Sequence, residues 1–222
     1  MTTIYLLRHG ALAGDSRERF VGQIDLPLAP EGIRQAEALA EALRNHAIAA
    51  LYCSDLQRCR QTAEIIAGAL HVPVTEHSEL REISLGDWEG LPRQQVAERW
   101  ADQFAARGRN IEHYRPPGGE SFADCLARAL PIWQDILHCG HEAVAVIGHA
   151  GLNRVLLCHM LGLPIADLFR IGQDYGCINI IERNGDRPSV KLVNGSPSDL
   201  VPTEPQSGTA ASAAHDSTKR AA

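Results

Sequence analysis

Apolar and polar positions alternate along the chain in two rhythms, one of period two and one of period near 3.6. A short run rich in strand formers, residues 3–7 (TIYLL), stops at Arg8-His9-Gly10. Pro30-Glu31-Gly32 then opens a helical pattern through Arg44, with Ile33, Ala36, Leu39, Ala40 and Leu43 on one stripe. Residues 50–53 read as a second buried strand that ends at Ser54-Asp55, and the helix after it turns Leu56, Cys59, Ala63, Ile66 and Leu70 inward. Residues 72–74, interrupted by Pro73, and residues 80–83 are weaker extended pieces.

Residues 93–107 form one helical pattern, after which Gly108 and Pro116-Pro117-Gly118-Gly119 mark a loop. Ser121 is placed to cap a helix running to Leu137, kinked or restarted at Pro131. Residues 143–147 (AVAVI) are the best strand of the chain, and the helix after His149 runs to Leu161, where Gly162 and Pro164 stop it. Residues 177–182 and 189–193 read as closing strands around an Asn184-Gly185 turn. Strands alternating with helices predict an α/β fold of three layers, α/β/α, around a mainly parallel central sheet.

Length fits one such domain. The chain has 222 residues, 45% of them hydrophobic, enough to build a sizeable core. From residue 196 the composition shifts to Pro, Ser, Thr and Ala without periodicity, so residues 1–195 are expected to be the domain and 196–222 a disordered tail. No apolar run reaches the ~18 residues of a spanning helix, and the first residues lack the pattern of an export signal, so a cytoplasmic protein is expected. The formal net charge of −6 makes the surface as a whole a poor match for nucleic acid or an anionic membrane. Six scattered cysteines without a CxxC pair suit a reduced protein that uses cysteine as a small hydrophobe. His138 and His141 (His-Cys-Gly-His) read as a helix end followed by a glycine turn, and no metal site is expected there.

In doubly wound sheets ligands sit beyond the carboxyl ends of the strands. That rule gathers Arg8 and His9 from the first strand, Ser54-Asp55 and then Arg58 from the second, and Gly148-His149-Ala150-Gly151 from the strong one. Two arginines and two histidines at one sheet edge make a site for a dianion, since guanidinium groups fork onto phosphate oxygens and helix starts offer backbone N–H groups. Histidine is also a competent nucleophile toward phosphorus.

Leu7-Arg8-His9-Gly10 resembles the signature of the histidine phosphatase superfamily, which includes cofactor-dependent phosphoglycerate mutases. The resemblance continues in order through Pro27-Leu28, Gly32, Gln35-Ala36, Ser54-Asp55-Leu56-Gln57-Arg58-Cys59-Arg60-Gln61-Thr62-Ala63, Leu80-Arg81-Glu82, Gly86-Asp87-Trp88-Glu89-Gly90, Gly118-Gly119-Glu120-Ser121 and Gly148-His149-Ala150-Gly151. It implies a phosphoglycerate mutase-like fold and makes His9 the phosphate-accepting nucleophile. It further implies that Arg8, Arg58 and His149 bind the phosphate, that Glu82 protonates the leaving group, and that neither metal nor cofactor is needed. A backbone acceptor should then hold the proton of the other His9 nitrogen. Gln23, Glu120 and Ser121, with Arg17 and Arg19, are the candidates for touching the rest of the substrate. The chain departs from the family at Ala11 and Leu12, where polar residues are usual, and at Asp15, where Asn is common.

A phosphatase and a mutase share the phosphohistidine step. The mutases carry a basic insertion that residues 91–119 do not resemble, whereas residues 127–133 do look mutase-like. Gly162-Leu163-Pro164, Asp174-Tyr175-Gly176-Cys177 and Lys191-Leu192-Val193-Asn194 are similar to α-ribazole phosphatases. The expectation is a phosphomonoesterase acting on a small phosphate ester such as α-ribazole phosphate. The alternatives are a mutase and a non-catalytic phosphate-binding or interaction protein, the last disfavoured because all five expected groups are present. A homodimer is compatible with the sequence.

Overall fold

A computed structural model of the chain describes residues 1–14, 18–185 and 188–200. One six-stranded sheet has the order β3-β2-β4-β1-β5-β6. Strands β1 (Thr2–Arg8), β2 (Ala50–Ser54), β3 (Val74–His77) and β4 (Ala143–Gly148) run parallel. Strands β5 (Ile178–Arg183) and β6 (Pro188–Gly195) complete one edge antiparallel. The helices are α1 (Pro30–Leu43), α2 (Gln57–Leu70), α3 (Arg93–Arg99), α4 (Ala101–Arg109), α5 (Phe122–Leu137) and α6 (Ala150–Leu161). None of the helices is long and apolar enough to cross a membrane.

Period two in the central strands feeds two cores. Ile4, Leu6, Val144 and Val146 face the layer of α5 and α6, where Trp133 and Leu156 are fully buried. Tyr5, Leu7, Ala145 and Ile147 face the layer of α1 and α2 with Leu39, Leu43 and Ile66. Because β1 and β4 are covered on both faces, they read as unbroken apolar runs. Each large aliphatic side chain buried this way contributes about 1.5–3 kcal/mol of transfer free energy.

Four expectations need correction. Residues 80–83 are not a strand: Ser78–Leu80 is a single 3₁₀ turn that drives Leu80 into the core, and pairing on this edge is made by β3 instead. Pro73 has no N–H, so the ladder starts after it, with Val74 opposite Leu51. The helix expected over 93–107 is two helices, broken at Trp100 (φ −128°, ψ 48°), whose indole packs against the core. Gly108 does not end α4, because in an exposed helix turn glycine costs only about 1 kcal/mol. Finally, the ordered chain runs past 195: Pro197–Leu200 makes a 3₁₀ turn, Asp199 accepts from Ser196 N at 2.6 Å, and Leu200 is buried in the core beside α1. A four-residue turn held by one leucine leaves no periodic signal. Residues 201–222 of the expected tail lie outside the described residues.

Pro131 sits inside α5, which runs through it to Leu137 without a restart. The helix starts at Ser121 in a capping box, in which Ser121 Oγ accepts from Asp124 N at 3.1 Å and Asp124 Oδ2 accepts from Ser121 N at 2.9 Å.

Candidate active site

Strand register assembles the site. β1 and β4 are neighbours, with Arg8 opposite Gly148, and His9 N continues the ladder by donating to Gly148 O at 3.1 Å. The chain then turns at Gly10, whose backbone lies directly on Gly32 at the start of α1, so that a Cβ at residue 10 would collide with the Gly32 carbonyl. This close approach fixes where His9 stands. Its Nδ1 lies 2.7 Å from Gly10 O. A carbonyl only accepts, so Nδ1 carries the proton and Nε2 keeps its lone pair. Burial, reinforced by the Arg58 and Arg8 charges, pushes the His9 pKa well below the ordinary histidine value, which keeps the ring neutral.

His149, at the end of β4, is fully buried and packs edge-on against His9 with ring centroids 5.1 Å apart. Arg58 Nε donates to His149 Nδ1 at 3.1 Å, so a neutral His149 carries its proton on Nε2. Burial, then Arg58, His9 and Arg8, also push the His149 pKa well down. Arg58 is locked further by bonds from its terminal nitrogens to Ile24 O and Gly22 O, both 2.7 Å. Those bonds use three of its five N–H groups and leave one on each terminal nitrogen. Arg8 donates to Gln173 O at 2.6 Å, and its guanidinium lies 3.7 Å from the Tyr175 ring centre. Tyr175 also leans over His9, centroids 5.5 Å apart.

Glu82 arrives from the loop after β3 and docks on the first turn of α6. Its Oε1 accepts from Ile83 N and Leu152 N, both at 3.0 Å, and its Oε2 from Gly151 N at 2.9 Å. A Cβ at residue 151 would run into the same carboxylate, so glycine is what permits the approach. The sequence suggested that this helix start offers its N–H groups to phosphate. In the fold Glu82 takes them, and the cations are left to bind the anion.

Arg8, His9, Arg58 and Glu82 line one cleft, with His149 packed against its floor. The profile of the histidine phosphatase superfamily (branch 1) matches residues 4–196. The chain belongs to this superfamily. An adenosylcobalamin/alpha-ribazole phosphatase of Escherichia coli K12 is 25% identical over 194 residues, 86% of this chain and 95% of that protein. A protein of Yersinia pestis named probable phosphoglycerate mutase GpmB is 35% identical over 170 residues, 74% of this chain and 77% of its own. Among solved structures, Bacillus stearothermophilus YhfR superposes with a TM-score of 0.82 at 32% identity, over 90% of this chain and all of the other. The α/β sheet is thus the histidine phosphatase fold, and the activity class is that of the metal-independent histidine phosphatases, the phosphomonoesterases.

The cleft of this histidine phosphatase differs from the sequence reading at its rim. Gln23, Glu120 and Ser121 do not line it. Gln23 Nε2 donates to Glu82 O at 2.9 Å, behind the carboxylate. Glu120 pairs with Arg128 at 2.8 Å and accepts from Ser84 N, and Ser121 caps α5. Gln23 and Glu120 brace the loop that carries Glu82. Asp55 is also drawn away, into a two-point pair with Arg81 at 2.6 and 2.7 Å. Leu12 is one apolar wall, while Ala11 is engaged through its backbone with Gln35 and Ala29. Asp15 and Arg17 lie outside the described residues. Arg19 does reach the cleft, and Arg93, Arg107 and Arg154 join it with Phe20, Phe122, Phe169 and Tyr175. Sequence reasoning missed these, although Arg93 and Arg107 fall at helical spacing on one face of the segment over residues 93–107 and so carried a weak signal.

Proposed function

We propose that this histidine phosphatase hydrolyses a small phosphorylated metabolite through a phosphohistidine on His9, with Glu82 protonating the departing alcohol. One observation carries the reading: the His9 Nδ1 bond to Gly10 O leaves Nε2 unprotonated in a ring of cations. The Nε2 lone pair attacks phosphorus, the P–O bond to the alcohol breaks, and its electron pair leaves on oxygen. That oxygen takes a proton from Glu82. Oε1 already accepts two N–H groups and Oε2 only one, so Oε2 is the atom with room for the proton. Water then attacks phosphorus, gives its proton to Glu82, and the P–N pair returns to Nε2. Arg8 and Arg58 offset charge on the equatorial oxygens, and His149 holds Arg58 in place by accepting from its Nε at 3.1 Å.

For the substrate, α-ribazole phosphate follows the name of the Escherichia coli relative, and a mutase reading draws on the 35% identity to the Yersinia pestis protein. We place the enzyme in the cytoplasm because all six cysteines are unpaired. The test is a panel of phosphomonoesters, α-ribazole phosphate and both phosphoglycerates included, assayed in excess EDTA with rapid acid-free trapping of the protein. Phosphate release undiminished by the chelator, and an alkali-stable, acid-labile label that disappears in His9→Ala, are expected. A label that persists in His9→Ala overturns the nucleophile. Conversion of 3- to 2-phosphoglycerate faster than phosphate release overturns the phosphatase reading in favour of the mutase.

A further inference from the structure

Of the ten described arginines outside the cleft, six pair with a carboxylate: Arg34 with Glu31, Arg44 with Glu41, Arg81 with Asp55, Arg115 with Asp124, Arg128 with Glu120 and Arg170 with Asp167. Those in the cleft do not, among the described residues. Arg93, at the start of α3, and Arg107, in the last turn of α4, have no carboxylate within ion-pair distance among the described residues, in a chain of 27 acidic and 21 basic residues. Both guanidinium groups lean on one ring, 5.3 and 5.7 Å from the centre of Phe20, and Arg107 also stands 5.7 Å from the centre of Phe122. Two like charges held against one aromatic ring repel, and burial together with the Arg93 charge pulls the Arg107 pKa down to about 10. The aromatic rings offset part of that repulsion, and an anion between the two cations removes it.

The phosphate of a monoester does not need them. Arg8, Arg58 and His149 surround His9, whereas Arg93 and Arg107 stand on the part of the cleft built by Phe20 and Phe122, elements from outside the strand ends. We infer that Arg93 and Arg107 form a second anion subsite, and that the substrate is a phosphomonoester whose alcohol carries another negative group, a carboxylate or a second phosphate, on a carbon frame that packs against Phe20 and Phe122. The inference rests on the phosphomonoesterase reading and narrows it: a phosphorylated alcohol with no other charge fills only half of the site.

Two readouts separate this from the reading beneath it. In the first, calorimetry measures binding of phenylphosphonate, 4-phosphonobenzoate, 3-phosphonopropanoate and 1,3-propanediphosphonate, which need no turnover. In the second, kcat/KM is compared for phenyl phosphate and 4-carboxyphenyl phosphate. At least one ligand with a second anionic group should bind about tenfold tighter than phenylphosphonate, the advantage should shrink as salt is raised, and 4-carboxyphenyl phosphate should show a similar preference in kcat/KM. In R93Q/R107Q the ratio of affinities for ligands with two anionic groups and with one should fall to near one. R93K/R107K should keep most of it, which separates lost charge from lost packing, and because the ratio is taken within each variant a general loss of folded protein cancels. Equal binding of all four ligands by the wild-type chain, or a ratio that survives in R93Q/R107Q, overturns the subsite. Tight binding with an intact ratio but no turnover of either aryl ester would instead refute the phosphatase reading and leave the subsite standing.

Discussion

At Glu82 three backbone N–H groups converge on one carboxyl group, two of them from the first turn of α6. The carboxyl is therefore aimed by a rigid element and not by a neighbouring side chain. Glu82→Gln keeps the shape but has no acidic proton, and loss of a general acid costs ~10²–10⁴-fold. That loss is expected with an alkyl phosphate and should nearly vanish with p-nitrophenyl phosphate, whose leaving group needs little protonation. Gly151→Ala should show the same selectivity, at about tenfold or more, because its methyl displaces the carboxylate without touching His9. Equal losses on both substrates, measured as kcat/KM, would mean that Glu82 is not the leaving-group acid.

At the next level up, the loop between β3 and α3 that carries Glu82 is held as a braced unit by α5. Ser84 N donates to Glu120 at 3.0 Å, Arg128 of α5 pairs with Glu120, and Arg128 also donates to the Arg81 and Glu82 carbonyls. The capping box at Ser121 sets where α5 begins and so where Arg128 stands. Removing an N-cap side chain typically costs about 1 kcal/mol. Ser121→Ala should lower the urea unfolding free energy by roughly that amount, and KM for the preferred substrate should stay within twofold. A tenfold rise in KM would return Ser121 to the substrate-binding set. The break at Trp100 matters in the same way, since it lets α3 and α4 present Arg93 and Arg107 to one ring.

For the whole molecule, the buried histidines tie stability to pH. The folded pKa values of His9 and His149 both lie well below the unfolded value near 6.5, so as pH falls through that value the unfolded chain takes up protons that the folded one refuses. More protons on the unfolded side means that stability falls with pH, by up to about 1.4 kcal/mol per unit for each histidine. Carboxylates start to contribute only near pH 4, so urea unfolding at pH 7.0 and 5.5 isolates the effect. His149→Gln should flatten the slope by about half; a flat profile in the wild-type chain would show that the rings are not held neutral. The end of the chain gives a second test. A chain ending at Leu200 should keep its melting temperature and activity, since residues 201–222 have no apolar periodicity to bury. Ending it at Asn194 removes the buried Leu200 and the Gly195 pairing with Ile178, and a drop of several degrees is expected.

The layers, and the edge where the chemistry gathers, are legible in the amino-acid order. Period two in residues 3–7 and 143–147 and period 3.6 in the helices between them are local signals, and the strand ends that follow carry Arg8, His9 and His149. The neighbours those groups acquire come from packing over long chain separations. Glu82 reaches Gly151 across 69 residues and Arg58 reaches His149 across 91, contacts that no period along the chain encodes. Which arginines are spent on carboxylates and which are left facing the cleft is likewise a property of packing. Arg81 and Arg93 are alike in sequence, but one finds Asp55 and the other finds Phe20. Charge is written in the chain, whereas its neutralisation depends on distance in three dimensions, and the cleft is made where that neutralisation is withheld.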